Sequence, residues 1–195
     1  NYADRNGNTL LMYASGYEPQ KYGFLPGKGN YSSADYAKLF LRYDADVSQQ
    51  NKEGWTALDY AVQLDDDMAA MNLLLSYGAE VTPVVLSHAL DFEGAYTHYQ
   101  RIHKLVALLD SSQTSTILTP IFDAAIRGDN ATVQELATKT DLSEAERLQT
   151  LCHAVAFCNA DTVRLLLADG FGTIQTIDAA DNTLLQIAAM QNNTD

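Results

Sequence analysis

Short apolar runs recur along the chain, each preceded by a hydroxyl residue and followed by a glycine or a small polar residue. Thr9, Thr56, Thr119 and Thr183 each stand just before such a run, where a hydroxyl can cap the free N–H groups of a helix start. Five positions later comes a small residue, at Ala14, Ala61, Ala124 and Ala188, with Ala89 and Ala154 in two weaker copies. Small side chains at that spacing predict helices that approach a neighbour closely. The triplets Leu73-Leu74-Leu75 and Leu165-Leu166-Leu167 predict second helices wedged between neighbours and buried over much of their circumference. Gly78 and Gly170 follow them as left-handed helix stops. One such helix pair cannot bury its own apolar face, so the pattern calls for stacked pairs whose stability sums over neighbours.

The turns before the helices repeat as well. Asp4-x-x-Gly7-Asn8-Thr9-Leu10-Leu11 returns as Asp178-x-x-Asp181-Asn182-Thr183-Leu184-Leu185, with Asn51-x-x-Gly54-Trp55-Thr56-Ala57-Leu58 between them. Thr119-Pro120-Ile121-Phe122 is a further copy, and Leu86-Ser87-His88-Ala89 and Leu151-Cys152-His153-Ala154 are degenerate ones. Counted from the Thr or its equivalent, the units start at 9, 56, 84, 119, 149 and 183, a mean period of about 35 residues. Asn72 to Val81 closes its unit with Gly78-Ala79-Glu80-Val81, and Phe40 to Val47 and Val163 to Gly170 repeat that ending with losses.

Taken together, these residues resemble the ankyrin-repeat family, over essentially the whole chain. The resemblance implies an all-α solenoid of stacked helix-turn-helix units with short β-hairpin or loop fingers. It divides residues 1–195, as a single domain, into units of about 1–47, 48–82, 83–113, 114–142, 143–175 and a truncated 176–195.

Three stretches depart from the pattern. The first unit carries an insertion within 15–33, rich in Gly, Pro and aromatics, which reads as an ordered surface loop. The third lacks the Asp-x-x-Gly turn and is lengthened around Asp91 to Tyr99. The fifth is entered through Asp141 to Gln149, which reads as a helical start rather than a finger. At the C-terminal end Leu184, Leu185 and Ile187 are expected to lack a partner helix.

Composition narrows the functions. Of 195 residues, 25 are acidic and 12 are Lys or Arg, a net charge of −13, which argues against partners built of phosphate or anionic lipid. No run of about 18 apolar residues is present to span a bilayer. Two cysteines, Cys152 and Cys158, are too few for a disulfide framework and lean toward the cytoplasm. The chain opens on Asn1 rather than Met and reads as a trimmed or mature piece.

Chemical motifs are sparse, and no catalytic residue, cofactor or metal site is assigned. Gly23 to Gly29 hints at a phosphate loop, but it is one residue short and lacks the hydroxyl after Lys28. His98 and His103 share no helix face. Cys152, His153 and Cys158 read as buried helix residues in preference to metal ligands. Asp65-Asp66-Asp67 precedes a predicted helix, where carboxylates cap N–H groups and favour the dipole.

What the resemblance implies is binding to another protein, through the concave face and finger tips. Carried over, the tip residues are Arg5, Asn6 and Asn8, then Lys52, Glu53 and Trp55, and lastly Asn182. Tyr22 and Phe24 in the insertion join them as candidates. Trp55 is the only tryptophan; it is either an interface hot spot or packed against a neighbouring finger. All eleven tyrosines lie between Tyr2 and Tyr99, which points to the N-terminal half as the contact surface. The expected partner has a basic patch, and the chain is expected to be a monomer. Two narrower alternatives stand beside this one: an immunity-type protein neutralising a basic effector, or a segment of a larger protein whose activity lies elsewhere.

Overall fold

A computed structural model of the chain describes residues 2–16, 32–64, 68–90, 99–139, 141–158, 160–176, 178 and 181–190; all structural counts are of these residues. They form twelve helices and one isolated antiparallel bridge, Ala3 with Thr9. Two compact units divide the chain, residues 1–92 and 93–195.

The first unit holds α1 (Leu10–Gly16), α2 (Ser33–Arg42), α3 (Ala57–Leu64), α4 (Ala69–Ser76) and α5 (Pro83–Leu90). They pack in two rows: α1, α3 and α5 side by side, with α2 against α4 behind them. Leu11, Met12, Leu58, Val62, Met71, Leu74 and Leu86 are almost wholly buried between the rows, each removing enough apolar surface to be worth about 1.5–3 kcal/mol. The repeated alanines serve the close approach the sequence predicts, since Ala14, Ala61 and Ala89 are all buried. At the end of α1, Gly16 lies so tightly under the Tyr60 backbone that any side chain there would collide with it.

The helix starts are capped much as the threonines predict. Thr9 Oγ1 accepts from Met12 N at 3.3 Å, Thr119 Oγ1 from Phe122 N at 3.4 Å and Thr183 Oγ1 from Gln186 N at 3.3 Å. In the third unit the cap is Thr82, whose Oγ1 accepts from Val85 N at 3.4 Å, two residues before the repeat register places it. Thr56 works in the opposite sense: its N–H and hydroxyl both donate to Asp59 Oδ2, each at 2.7 Å. The helix stops are left-handed at Gly78 (φ +87°), Gly128 (+73°) and Gly170 (+78°). Asp44 takes the same conformation (φ +57°) after α2 without being a glycine.

The second unit holds α6 (Tyr99–Leu108), α7 (Ser111–Thr114), α8 (Pro120–Arg127), α9 (Asn130–Lys139), α10 (Glu144–Phe157), α11 (Ala160–Ala168) and α12 (Leu184–Met190). α8 pairs with α9 and α10 with α11, while α10 lies between α8 and α12. The helical start expected at Asp141 to Gln149 is present. Ser143 and Glu146 form a capping box, and α10 then runs unbroken through the position where a separate first helix would begin. The short α7 was not predicted; Asp110 and Gln113 cap it reciprocally. At the C-terminal end Leu184 and Ile187 are buried and only Leu185 stands exposed. Packing against α10 supplies the cover that the sequence leaves unassigned.

Residues 17–31 of the insertion, with its Gly23 to Gly29 stretch, the Asp65-Asp66-Asp67 triplet, and residues 91–98 of the lengthening, His98 among them, lie outside the described residues. The helix after the triplet, α4, has Met68 at its N-cap in a left-handed conformation with no side-chain cap bond.

Candidate functional site

The described residues of the three matching turns share one hydrogen-bond pattern. In the first finger Asp4 Oδ1 accepts from the N–H groups of Asn6 and Asn8, both at 2.8 Å. In the second, Asn51 Oδ1 accepts from Glu53 N and Trp55 N, both at 2.9 Å. In the last, Asp178 Oδ1 accepts from Asn182 N at 2.8 Å. A side-chain acceptor four residues before its donor, and in the first two turns also two residues before a second donor, holds the tip closed. The fourth residue of each turn has positive φ: +85° at Gly7, +84° at Gly54 and +62° at Asp181, which explains glycine in two copies.

The first two fingers are also joined to each other. Lys52 N donates to Asn6 O at 2.9 Å. Asn51 Nδ2 donates to Asn8 Oδ1 at 2.8 Å and to the Tyr60 hydroxyl at 3.1 Å, and that hydroxyl donates to Asn8 Oδ1 at 3.0 Å. Each polar atom of this partly buried triangle is satisfied, so the fingers are held in one register. Below the first tip, the Tyr13 hydroxyl donates to Asp4 Oδ2 at 2.6 Å; that bond, with those from Asn8 and Asn6, holds the Asp4 carboxyl below its usual range.

Trp55 rests on this platform. Its ring centroid is 4.3 Å from that of His88 in a stacked arrangement and 5.1 Å from that of Tyr60 at a tilt of 55°. His88 is pinned in turn by Asp59, with Nδ1 to Oδ1 at 2.8 Å. Asp59 is 2% exposed and is matched on its other oxygen by Thr56. Burial first, then the negative charges of Glu53, Asp4 and Asp59, pushes the Tyr60 phenol above its ordinary value.

Among the sequence candidates, Arg5, Asn6, Lys52 and Glu53 are exposed, while Asn8 and Trp55 are half-buried; all six lie on the first two fingers. Trp55 therefore packs against its neighbours and still keeps part of its surface open. Asn182 belongs to the second unit, where its side chain donates to Asp178 Oδ2 at 3.1 Å. Tyr22 and Phe24 lie outside the described residues. Sequence reasoning missed Asn51, Asp59, Tyr60 and His88. Only Asn51 left a signal, by replacing the Asp that opens the other two fingers.

The second unit offers less recognition chemistry. Arg127 Nε donates to both oxygens of Asp123, at 3.1 and 3.0 Å, and its Nη2 donates to Leu109 O at 3.0 Å, while Thr114 Oγ1 donates to Asp123 at 2.7 Å. This cluster fastens α7 to α8. Cys152 and Cys158 are buried thiols, and burial pushes Cys158 up to about 12. His153 packs its ring 4.8 Å from that of Phe122, and burial holds it below the ordinary histidine value. Among the described residues no group of three His, Cys, Asp or Glu side chains is placed to hold a metal ion, and no helix is long and apolar enough to cross a membrane.

No family model matches the chain, and no curated protein matches it. Among solved structures it is similar to the crystal structure of the human ASB11 ankyrin repeat domain. That likeness covers 96% of this chain and 80% of the other, at 20% identity and a TM-score of 0.48.

Proposed function

We propose that the chain is a noncatalytic interaction module of the ankyrin-repeat kind that binds another protein through the tips of its first two fingers. The observation that carries this reading is the rigid coupling of those fingers. Exposed Arg5, Asn6, Lys52 and Glu53 and the partly open Trp55 stand on a turn pair locked by backbone and side-chain bonds. A surface ordered in advance loses little conformational entropy on binding, and a supported tryptophan is a favoured hot spot. Asn182, Tyr22 and Phe24 are further contact candidates, and residues 1–195 are read as one domain of six repeat units.

The partner in this reading presents a basic surface. Residues 1–92 carry twelve acidic and six basic residues, and residues 93–195 thirteen and six, so the negative charge is spread over both units. Its field should speed association at low salt. That even acidity favours, as a narrower version, a neutralising partner of a basic protein.

The test is affinity capture from native lysate at low salt, comparing wild type with Trp55→Ala, Glu53→Ala. One protein retained by wild type and lost by the variant supports the site. Equal retention by both moves the contact elsewhere, and no specific protein retained by either sinks the reading.

A further inference from the structure

We infer that the group seated on Trp55 is a cationic side chain, an arginine or lysine of the partner protein; this rests on the interaction reading above and names the chemistry of its central contact. Three observations converge. First, the indole is backed on one side by the His88 ring at 4.3 Å and flanked by Tyr60 at 5.1 Å, so its remaining open surface belongs to a fixed aromatic cluster. The negative face of such a ring attracts a cation.

Second, the charges acting on the neighbouring phenol of Tyr60 are carboxylates: Glu53, Asp4 and Asp59. Glu53 is held close to Trp55, because both backbone N–H groups converge on Asn51 Oδ1 at 2.9 Å. A guanidinium or ammonium lying on the indole would thus have, two residues away on the same closed turn, an exposed glutamate to pair with. Third, the carboxylate nearest the His88 ring, Asp59, is already matched by Thr56 and His88. With Asp4 taken up by Tyr13, Asn6 and Asn8, that leaves Glu53 as the acid of the cluster free to pair with a guest. The basic neighbours Arg5 and Lys52 are exposed on the same tips, and their long stems let their charges turn into solvent.

The single tryptophan makes the test direct, since Trp55 emission reports this site alone. The 195-residue chain is titrated with a Gly-Arg repeat peptide and with a Gly-Gln peptide of equal length, at about 20 mM and about 300 mM salt. A saturable emission change is expected with the Arg peptide only, weaker at the higher salt. Glu53→Gln should weaken binding about threefold, while Glu80→Gln, an exposed acid elsewhere in the same unit, should leave it nearly unchanged. Trp55→Leu, read by anisotropy of a labelled peptide, should weaken it about tenfold, and Trp55→Phe should restore much of that. Equal response to the Gln peptide overturns the inference, as does equal weakening by the two Glu variants, which would mean a diffuse field. A lysate partner lost on Trp55→Ala with no response to the Arg peptide overturns the cationic guest and leaves the interaction module standing. Thermal melts of each variant separate lost binding from lost folding.

Discussion

Asn51 donates its side-chain amide to Asn8 Oδ1 at 2.8 Å across the two fingers, while its own Oδ1 closes the turn it opens. An aspartate could do the second task, as Asp4 and Asp178 do, but cannot do the first. Asn51→Asp should therefore keep the turn and set a carboxylate against the Asn8 oxygen. The expected loss is about 1–3 kcal/mol in urea unfolding. A loss no larger than that of an exposed Asn→Asp change would remove the inter-finger role.

The Asp59–His88 pair supports Trp55 from behind. Asp59→Ala leaves the Thr56 N–H and the imidazole without their acceptor in a buried site, at a cost of about 2–4 kcal/mol. His88→Ala should shift Trp55 emission to the red, because the indole loses the ring covering one of its sides. Unchanged emission in His88→Ala would contradict the stacked geometry.

Two helix stops allow a paired experiment. Asp44 holds φ at +57° and Gly78 at +87°, at equivalent ends of α2 and α4. Asp44→Gly should raise stability by about 0.5–1 kcal/mol by relieving a strained backbone. Gly78→Ala should cost about 1 kcal/mol, for conformational reasons alone, since a Cβ there would meet nothing within 4 Å. Opposite signs in the two melting shifts are the expected result.

Acid should weaken the chain in two stages. Burial lowers the folded pKa of His153 below its model-compound value of 6.5, so the unfolded state takes up the proton first. Stability from this group is full above about pH 6.5 and falls as pH drops through that value. His153→Gln should flatten the decline between pH 7 and pH 5. The second stage, below about pH 4, comes from carboxylates held low in the folded state. In Asp123 burial opposes ionisation, but the bonds from Arg127 and Thr114 outweigh it. Asp123→Asn should reduce that steep acid loss while lowering stability at neutral pH.

Both thiols should be silent in the native chain. Cys152 and Cys158 are buried, and burial raises the pKa of each, so little thiolate exists to react. Ellman's reagent at pH 8 should titrate none in buffer and two in concentrated urea. Fast reaction of either in buffer would mean that α10 opens locally.

Much of the fold was legible because its signals are local. A threonine caps the helix it precedes, and a glycine stop or an Asp-x-x-Gly turn closes on itself, so each can be read within a few residues. What escaped the sequence depends on how layers meet. Trp55 finds His88 across 33 residues, and Asn51 finds Asn8 across 43; both contacts are set by the spacing of α1, α3 and α5. The Asp44 stop escaped for another reason, since an aspartate in the left-handed region carries no distinct mark. Arg5, Asn6, Lys52 and Glu53 were identifiable as exposed tip positions, but the side chains that hold the tips in place were not.

Gly7 and Gly54 occupy matching turns, yet they are constrained unequally. A side chain at Gly7 would need both a left-handed backbone and a shift of a few tenths of an ångström by Asn51 Cα and Lys52 N, each 3.2 Å from the position of its first carbon. At Gly54 only the backbone objects, because the space around it is open. Asparagine, which tolerates that conformation, should therefore enter at 54 at less cost than at 7. The second tip is thus the one free to diversify, and a family of binders drawn from this scaffold would vary there first.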